Sequence, residues 1–380
     1  MAHPGDLDTT FGSGGKKTVN FGGTDAARAV LVQPNGRVVA AGGGGPASSF
    51  CVVRLRSANG TLDPTFGSGG KRVVDFGSDD ESVHGAALQP DGKIVLAGDS
   101  RLQPAVVRLK ANGALDTSFD GDGKKLFSWG AIGRVTAVVI APNGKILLGG
   151  FSGPEGGNIQ VARMTAKGAL DTTFGAGGIA TVDFGGTEFG EAIARQADGR
   201  ILVVGRSSAG GAVVARLRAT GALDPDFGSG GRVTLPGGGS LRAVLVQPDR
   251  NIVVAGNASG SAMMTVTRLK PDGSLDATFG GGGTTTVAFG SLANLLGGAA
   301  RRPDGKIVIA GYTQDGEDIA VARLNADGSL DATFGAAGKA TVDFGVATFG
   351  NAVALAPNGR IVVAGQKTGG DDFAVARLLA

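Results

Sequence analysis

The chain has 380 residues, is 42% apolar and 18% charged, and carries a formal net charge of +3. That near-balance, the lack of a dense Lys/Arg run, and a single Trp and single Tyr exclude the basic, aromatic-lined face that nucleic acid requires. No run of about 20 apolar residues is present to span a membrane, one cysteine excludes an internal disulfide, and 70 glycines without a G-X-Y period exclude collagen.

The opening MAHPGDLD leads at once into the phrase LDTTFGSGG, which begins at Leu7 and recurs in variant form at Leu62, Leu115, Leu170, Leu223, Leu275 and Leu330. A period of 52 to 55 residues with no linker signals a repeat architecture and one domain over 1–380. The first phrase is followed by a strand-like run, KKTVNF (Lys16 to Phe21). From there each period reads as four strand-length runs separated by turn residues. In the last period they are KATVDF (Lys339 to Phe344), NAVALAP (Asn351 to Pro357), RIVVAG (Arg360 to Gly365) and FAVARL (Phe373 to Leu378). The Asn358-Gly359 turn between the second and third is a hairpin signal. It recurs in all copies but the fifth, which reads PDRN.

Four strands cannot bury their own faces, so the pattern predicts an all-β, seven-bladed β-propeller with four antiparallel strands per blade. Three strands stand unpartnered at the C-terminus and one at the N-terminus. Their pairing closes the ring and removes a free edge. The NAVALAP-type run carries small residues at Ala29, Gly85, Ala137, Ala192, Ala243, Gly298 and Ala352, which suits the crowded centre, so it is expected innermost. The RIVVAG-type run, apolar on both faces, is second. The alternating KATVDF-type run is outermost.

The phrase LD-x-TFG-x-GG, a strand ending in FG, and the runs QPDGKIVVAG and VARLNADG resemble the delta-60 repeat family of bacterial proteins, over essentially the whole chain. That resemblance implies a propeller-like, often exported protein and transfers no catalytic motif. Two copies depart: the fifth has RVTLPGGG in place of a strand ending in FG, and the third has Trp129 in the Phe slot.

Residues constant in every copy read as architecture, because chemistry needs a residue once. Seven Arg of the VARL run (Arg54 to Arg377) and seven Asp of the LD phrase (Asp8 to Asp331) are expected to pair as bidentate forks or to cap turns. The seven Phe from Phe11 to Phe334 are expected in the core, and Cys51 as a buried thiol. DTSFDGDG (Asp116 to Gly123) lacks the closing Glu of a calcium loop and reads as a plain turn.

Variable slots mark the working face. Six residues before the turn proline, or before Ala197 in the fourth copy, stand Arg28, His84, Thr136, Glu191, Arg242, Gly297 and Asn351. After the AG closing the second strand stand Gly43, Asp99, Phe151, Arg206, Asn257, Tyr312 and Gln366. Both slots fall at one end of the ring, with loops such as Ala41 to Ser49, Phe76 to Ser82 and Phe127 to Gly133. The uniform PDGK turns fall at the other. Loops on a rigid scaffold and barrel mouths are where binding sites form. The expected ligand-binding set is therefore Arg28, His84, Glu191, Arg242, Asn351, Asp99, Arg206 and Tyr312. Arg195 and Arg301 stand out where other innermost strands carry Val, Leu or Ile.

The expected function is a ligand- or partner-binding propeller whose mouth holds a small molecule, glycan or protein. It is expected to be monomeric and exported, secreted or at the cell surface, since no signal peptide precedes the first repeat and a trimmed mature chain starts in this way. An enzyme, a lyase or hydrolase using His84 and Glu191 as catalytic groups with an arginine clamp, is the alternative. A purely structural module is a third. No motif implies a cofactor, and no spacing implies a metal.

Overall fold

A computed structural model describes residues 2–130, 132–153, 156–260, 263–290, 294–313 and 318–380. It contains seven four-stranded antiparallel sheets arranged as blades. The innermost strands are Ala26–Val32, Glu81–Leu88, Gly133–Ile140, Glu188–Arg195, Ser240–Val246, Asn294–Arg301 and Thr348–Leu355, which define blades 1 to 7. In blade 7 the fourth strand is the N-terminal Lys16–Val19, whose Lys16 pairs with Ala376 and Val19 with Phe373. The ring thus closes between the two chain ends, as the complementary strand counts require.

Hydrophobic cores lie between neighbouring blades. Val39 and Ala41 of blade 1 pack with Ile94 and Leu96 of blade 2 in one cluster, and Val308 and Ala310 with Ile361 and Val363 in another. This is why the second strand is apolar on both faces: each face meets a different blade. All seven phrase Phe side chains are fully buried. Burying one is worth roughly 1.5–3 kcal/mol.

The constant Arg and Asp form one staple per blade. Arg Nε meets Asp Oδ2 at 2.6 to 2.8 Å in all seven, from Arg54–Asp63 to Arg377–Asp8. The geometry is not the bidentate fork expected. In six copies the other carboxylate oxygen is taken by the hydroxyl two residues on, as in Asp63 with Thr65 at 2.7 Å; the fifth copy has Asp226 there. The guanidinium lies over the phrase Phe, 4.5 to 4.9 Å from the ring centroid. Among the described residues, Nη1 in six of the seven, all but Arg323, then reaches a carbonyl one blade further on, as Arg54 does to Ala111 and Arg377 to Ser57. Each staple therefore fixes a turn and covers a core ring, and six of them also join two blades. A second cation from the hairpin turn also reaches the same Asp: Arg37, Lys93, Lys145, Arg200, Lys306 and Arg360. The fifth copy has Asn251 there, and its Arg250 occupies the left-handed position (φ 68°) that glycine holds elsewhere.

Strand ends differ from the sequence expectation. The outer strand stops at Val342 rather than Phe344, and the innermost strand of blade 7 starts at Thr348 rather than Asn351. The extra residues contain a register shift, which the alternating pattern conceals. In DTSFDGDG, Asp116 pairs with Arg108, Asp120 with Lys125, and Asp122 accepts the Lys124 amide. The segment is a turn.

Candidate functional site

Every innermost strand carries a β-bulge, and in every blade the bulged residue is the variable slot. The register shifts fall at Ala27/Ala29, Val83/Gly85, Val135/Ala137, Gly190/Ala192, Leu241/Ala243, Leu296/Gly298 and Gly350/Ala352. A bulge re-aims one side chain and leaves the rest of the ladder intact. Here it is repeated around the axis, so seven slots, six of them with side chains, converge on one mouth. All seven line a cavity of about 590 Å³, joined by Phe151 and Tyr312 of the second slot and by Arg134 and Phe189.

Six of the eight expected site residues, Arg28, His84, Glu191, Arg242, Asn351 and Tyr312, line this cavity. Asp99 is buried behind it, with Oδ1 2.7 Å from His84 Nε2 and 3.5 Å from Arg134 Nε. Arg206 is exposed and stacks over Phe189 at 4.0 Å, lining an adjoining groove. Arg195 and Arg301 end their strands at the opposite, turn side. Of the loops expected at the mouth, 127–133 includes residue 131, which lies outside the described residues.

Three slot residues serve the scaffold. Thr136 Oγ1 donates to Gly190 O at 2.7 Å and Asn351 Nδ2 to Ala27 O at 2.9 Å, each tying its blade to the next. At Gly297 a Cβ would lie 2.2 Å from Gly350 O, so only glycine allows that close approach. Asn257 is committed likewise, donating to Asn294 O at 2.6 Å and accepting from Leu296 N at 3.0 Å.

The remaining groups are electrostatically coupled. Burial pushes the His84 imidazole below its ordinary pKa, and Asp99 pulls it part of the way back. Burial pushes the Glu191 carboxyl up, against the opposing pull of Arg242, Arg206 and Arg134. Arg28 is lowered by burial and by the like charges of Arg134 and Arg242. Aromatic pairs brace the rim: Phe151 with Phe189 at 4.9 Å and Tyr312 with Phe349 at 4.8 Å. Arg134 and Phe189 escaped the sequence reading. Both stand two residues before the slot, where other copies hold Ala26, Ser82 or Leu295 and no pattern draws notice. Among the described residues no cluster of three His, Cys, Asp or Glu side chains could hold a metal ion.

Compared with known proteins, the chain matches the family described as "Domain of unknown function (DUF5122) beta-propeller" at residues 33–66, 89–119, 141–174, 196–227, 247–279, 302–334 and 356–380. Together these segments span more than half of the chain. The protein belongs to the DUF5122 β-propeller family. The first six segments run from the hairpin turn to the phrase Phe, the last runs from the turn to residue 380, and all omit the innermost strands, so the seven slot residues of this DUF5122 propeller lie outside the matched segments. No curated protein matches. Among solved structures, virginiamycin B lyase from Staphylococcus aureus is similar at 11% identity, covering 96% of this chain and 99% of that one, with a TM-score of 0.60. A structure described as YCF48 bound to D1 peptide is similar at 12% identity, covering 99% and 98%, with a TM-score of 0.53. A protein from Lactobacillus plantarum is similar at 14% identity, covering 87% and 89%, with a TM-score of 0.53. Identities this low speak to fold alone.

Proposed function

We propose that this DUF5122 propeller binds an anionic small molecule in the mouth cavity. The observation that carries the reading is the imbalance of charge there. Arg28, Arg134 and Arg242 line the cavity with Arg206 at its edge, against Glu191 and an Asp99 already bonded to His84. Crowded guanidinium groups are relieved by a carboxylate or phosphate, which they grip in planar, two-pronged fashion. Tyr312 offers an aromatic wall with a hydroxyl, and about 590 Å³ lies within the range of small-molecule sites.

Export, a monomeric state and a single domain over 1–380 belong to the same reading, as does assignment of the repeat to the delta-60 type on its phrase. The outer strands, the free edges of the blades, are only three or four residues long, and several open with Lys. Short, charged edges discourage strand pairing between copies.

A second reading is favoured by one contact. His84 Nε2 is held by the Asp99 carboxylate at 2.7 Å while burial lowers the pKa of the ring. That is how a general base is oriented, its second nitrogen left to accept a proton. A lyase or hydrolase acting on the bound anion would use it.

The test is a thermal-shift screen with phosphate, citrate and galacturonate beside glucose and magnesium chloride, on wild type and Arg242→Ala. Stabilisation by anions that the variant loses supports the reading, since a ligand of the native state raises stability. Anions that shift neither protein, or both equally, refute it. Turnover of a bound anion that His84→Gln abolishes with binding retained would select the enzyme.

A further inference from the structure

The mouth does not end at the ring axis. A groove of about 800 Å³ runs across the top between blades 4 and 5. It shares Phe189, Glu191 and Arg242 with the mouth cavity, so the two are continuous.

It borders the irregular segment of the fifth copy. Where Phe21, Phe76, Trp129, Phe184, Phe289 and Phe344 follow their outer strands, this copy has Gly237. Elsewhere the ring packs onto its blade, as Phe76 does on Phe50 at 5.3 Å and Phe21 on Phe373 at 5.1 Å. At Gly237 a Cβ would meet no atom within 4 Å. The groove is lined by Gly238, Gly239 and Ser240, which directly follow that glycine.

Beyond Glu191, Arg206 and Arg242 the trough is polar and uncharged. Thr187, Ser208, Ser240 and Ser259 present hydroxyls, while the Ser207 hydroxyl is committed to Glu188, and glycine backbone supplies much of the rest. Among the described residues, Phe189 and Ala258 are its only carbon-rich side chains. Such a lining offers nothing to an acyl chain or an apolar peptide and much to a polyol. At its inner end stand Arg206 and Arg242, the groups that would meet carboxylates.

On the reading that the mouth binds an anion, we propose that the ligand is an acidic oligosaccharide. One uronate unit sits in the mouth on Arg28 and Arg242, and the following units lie along the serine-lined groove over blades 4 and 5. A groove that adds hydroxyl contacts to a charged anchor makes affinity grow with chain length, which a site for a lone anion does not.

The experiment is calorimetric titration with galacturonate and with tetragalacturonate. Wild type is expected to bind the tetramer at least tenfold more tightly than the monomer. Ser259 is exposed and does not line the mouth cavity, so its variants are expected to fold and to bind the monomer as wild type does. Ser259→Asp, placing a like charge in the trough, is expected to erase the tetramer's advantage, and Ser259→Lys to enlarge it. Equal affinity for monomer and tetramer, or an advantage indifferent to both substitutions, overturns this inference and leaves the anion-binding mouth standing. Binding of neither sugar, with citrate and phosphate still bound, also overturns it, and failure of every anion overturns both.

Discussion

Asp8 and Arg377 stand 369 positions apart and are joined by a 2.8 Å contact across the ring closure. Their side chains are 3% and 4% exposed. Asp8→Ala removes the partner of a buried guanidinium that cannot lose its proton, leaving Arg377 its carbonyl contact to Ser57 and the Thr10 hydroxyl. Breaking a buried pair from one side costs about 3–5 kcal/mol. The second cation on Asp8, Arg360, is 34% exposed, so water recovers much of its loss and it adds little. Urea unfolding followed by circular dichroism and by the fluorescence of Trp129 should therefore show a loss of about 3 kcal/mol or more. The exposed control Thr9→Ala should stay within about 0.5 kcal/mol of wild type. Combining Asp8→Ala with Arg377→Met should cost less than the sum of the two singles, because the stranded charge is gone. A loss below about 1 kcal/mol, or strict additivity, refutes the view that the staples hold the ring closed.

Three further predictions rest on single contacts. Asn251→Lys supplies the one missing turn cation and should stabilise by about 0.5 kcal/mol only while Asp276 is present, as a double-mutant cycle would show. For Asp116, burial alone would raise the carboxyl, yet bonds from Ser118 and the charges of Arg108 and Lys93 hold it down to about 2. A folded value depressed below the unfolded one gives stability that is complete above about pH 4 and lost as pH falls toward 2. Melting temperature should drop over that window, and less in Asp116→Asn; a flat profile down to pH 2 contradicts this. Asp99→Asn removes the group that holds up the His84 pKa, so NMR titration should find it lower than in wild type. With His3 the only other histidine, the signal can be assigned.

How far the sequence reaches depends on whether a feature repeats. The LD phrase, the strand counts and the complementary chain ends state the ring and its closure, because every copy obeys the same packing. The convergence of two variable slots on one mouth also follows, since an antiparallel pair brings the start of one strand beside the end of its neighbour. What is not legible is the bulge at each slot, which no residue type announces and which sets where those side chains point. Nor can a slot say whether its polar residue faces a ligand or the neighbouring blade. Asn351 and Thr136 reach to the next blade, whereas His84 and Glu191 face the cavity, and only the inter-blade spacing decides. Arg134 was hidden because it occurs in one copy outside both slots.

The charge excess at the mouth is tested most directly by titrating galacturonate into wild type and into the Arg28→Ala/Arg242→Ala variant, at low and high salt. Binding to wild type that weakens with salt and falls at least tenfold in the variant is the predicted result. Affinity that ignores both changes, or no binding of any small anion to the wild type, would contradict the account.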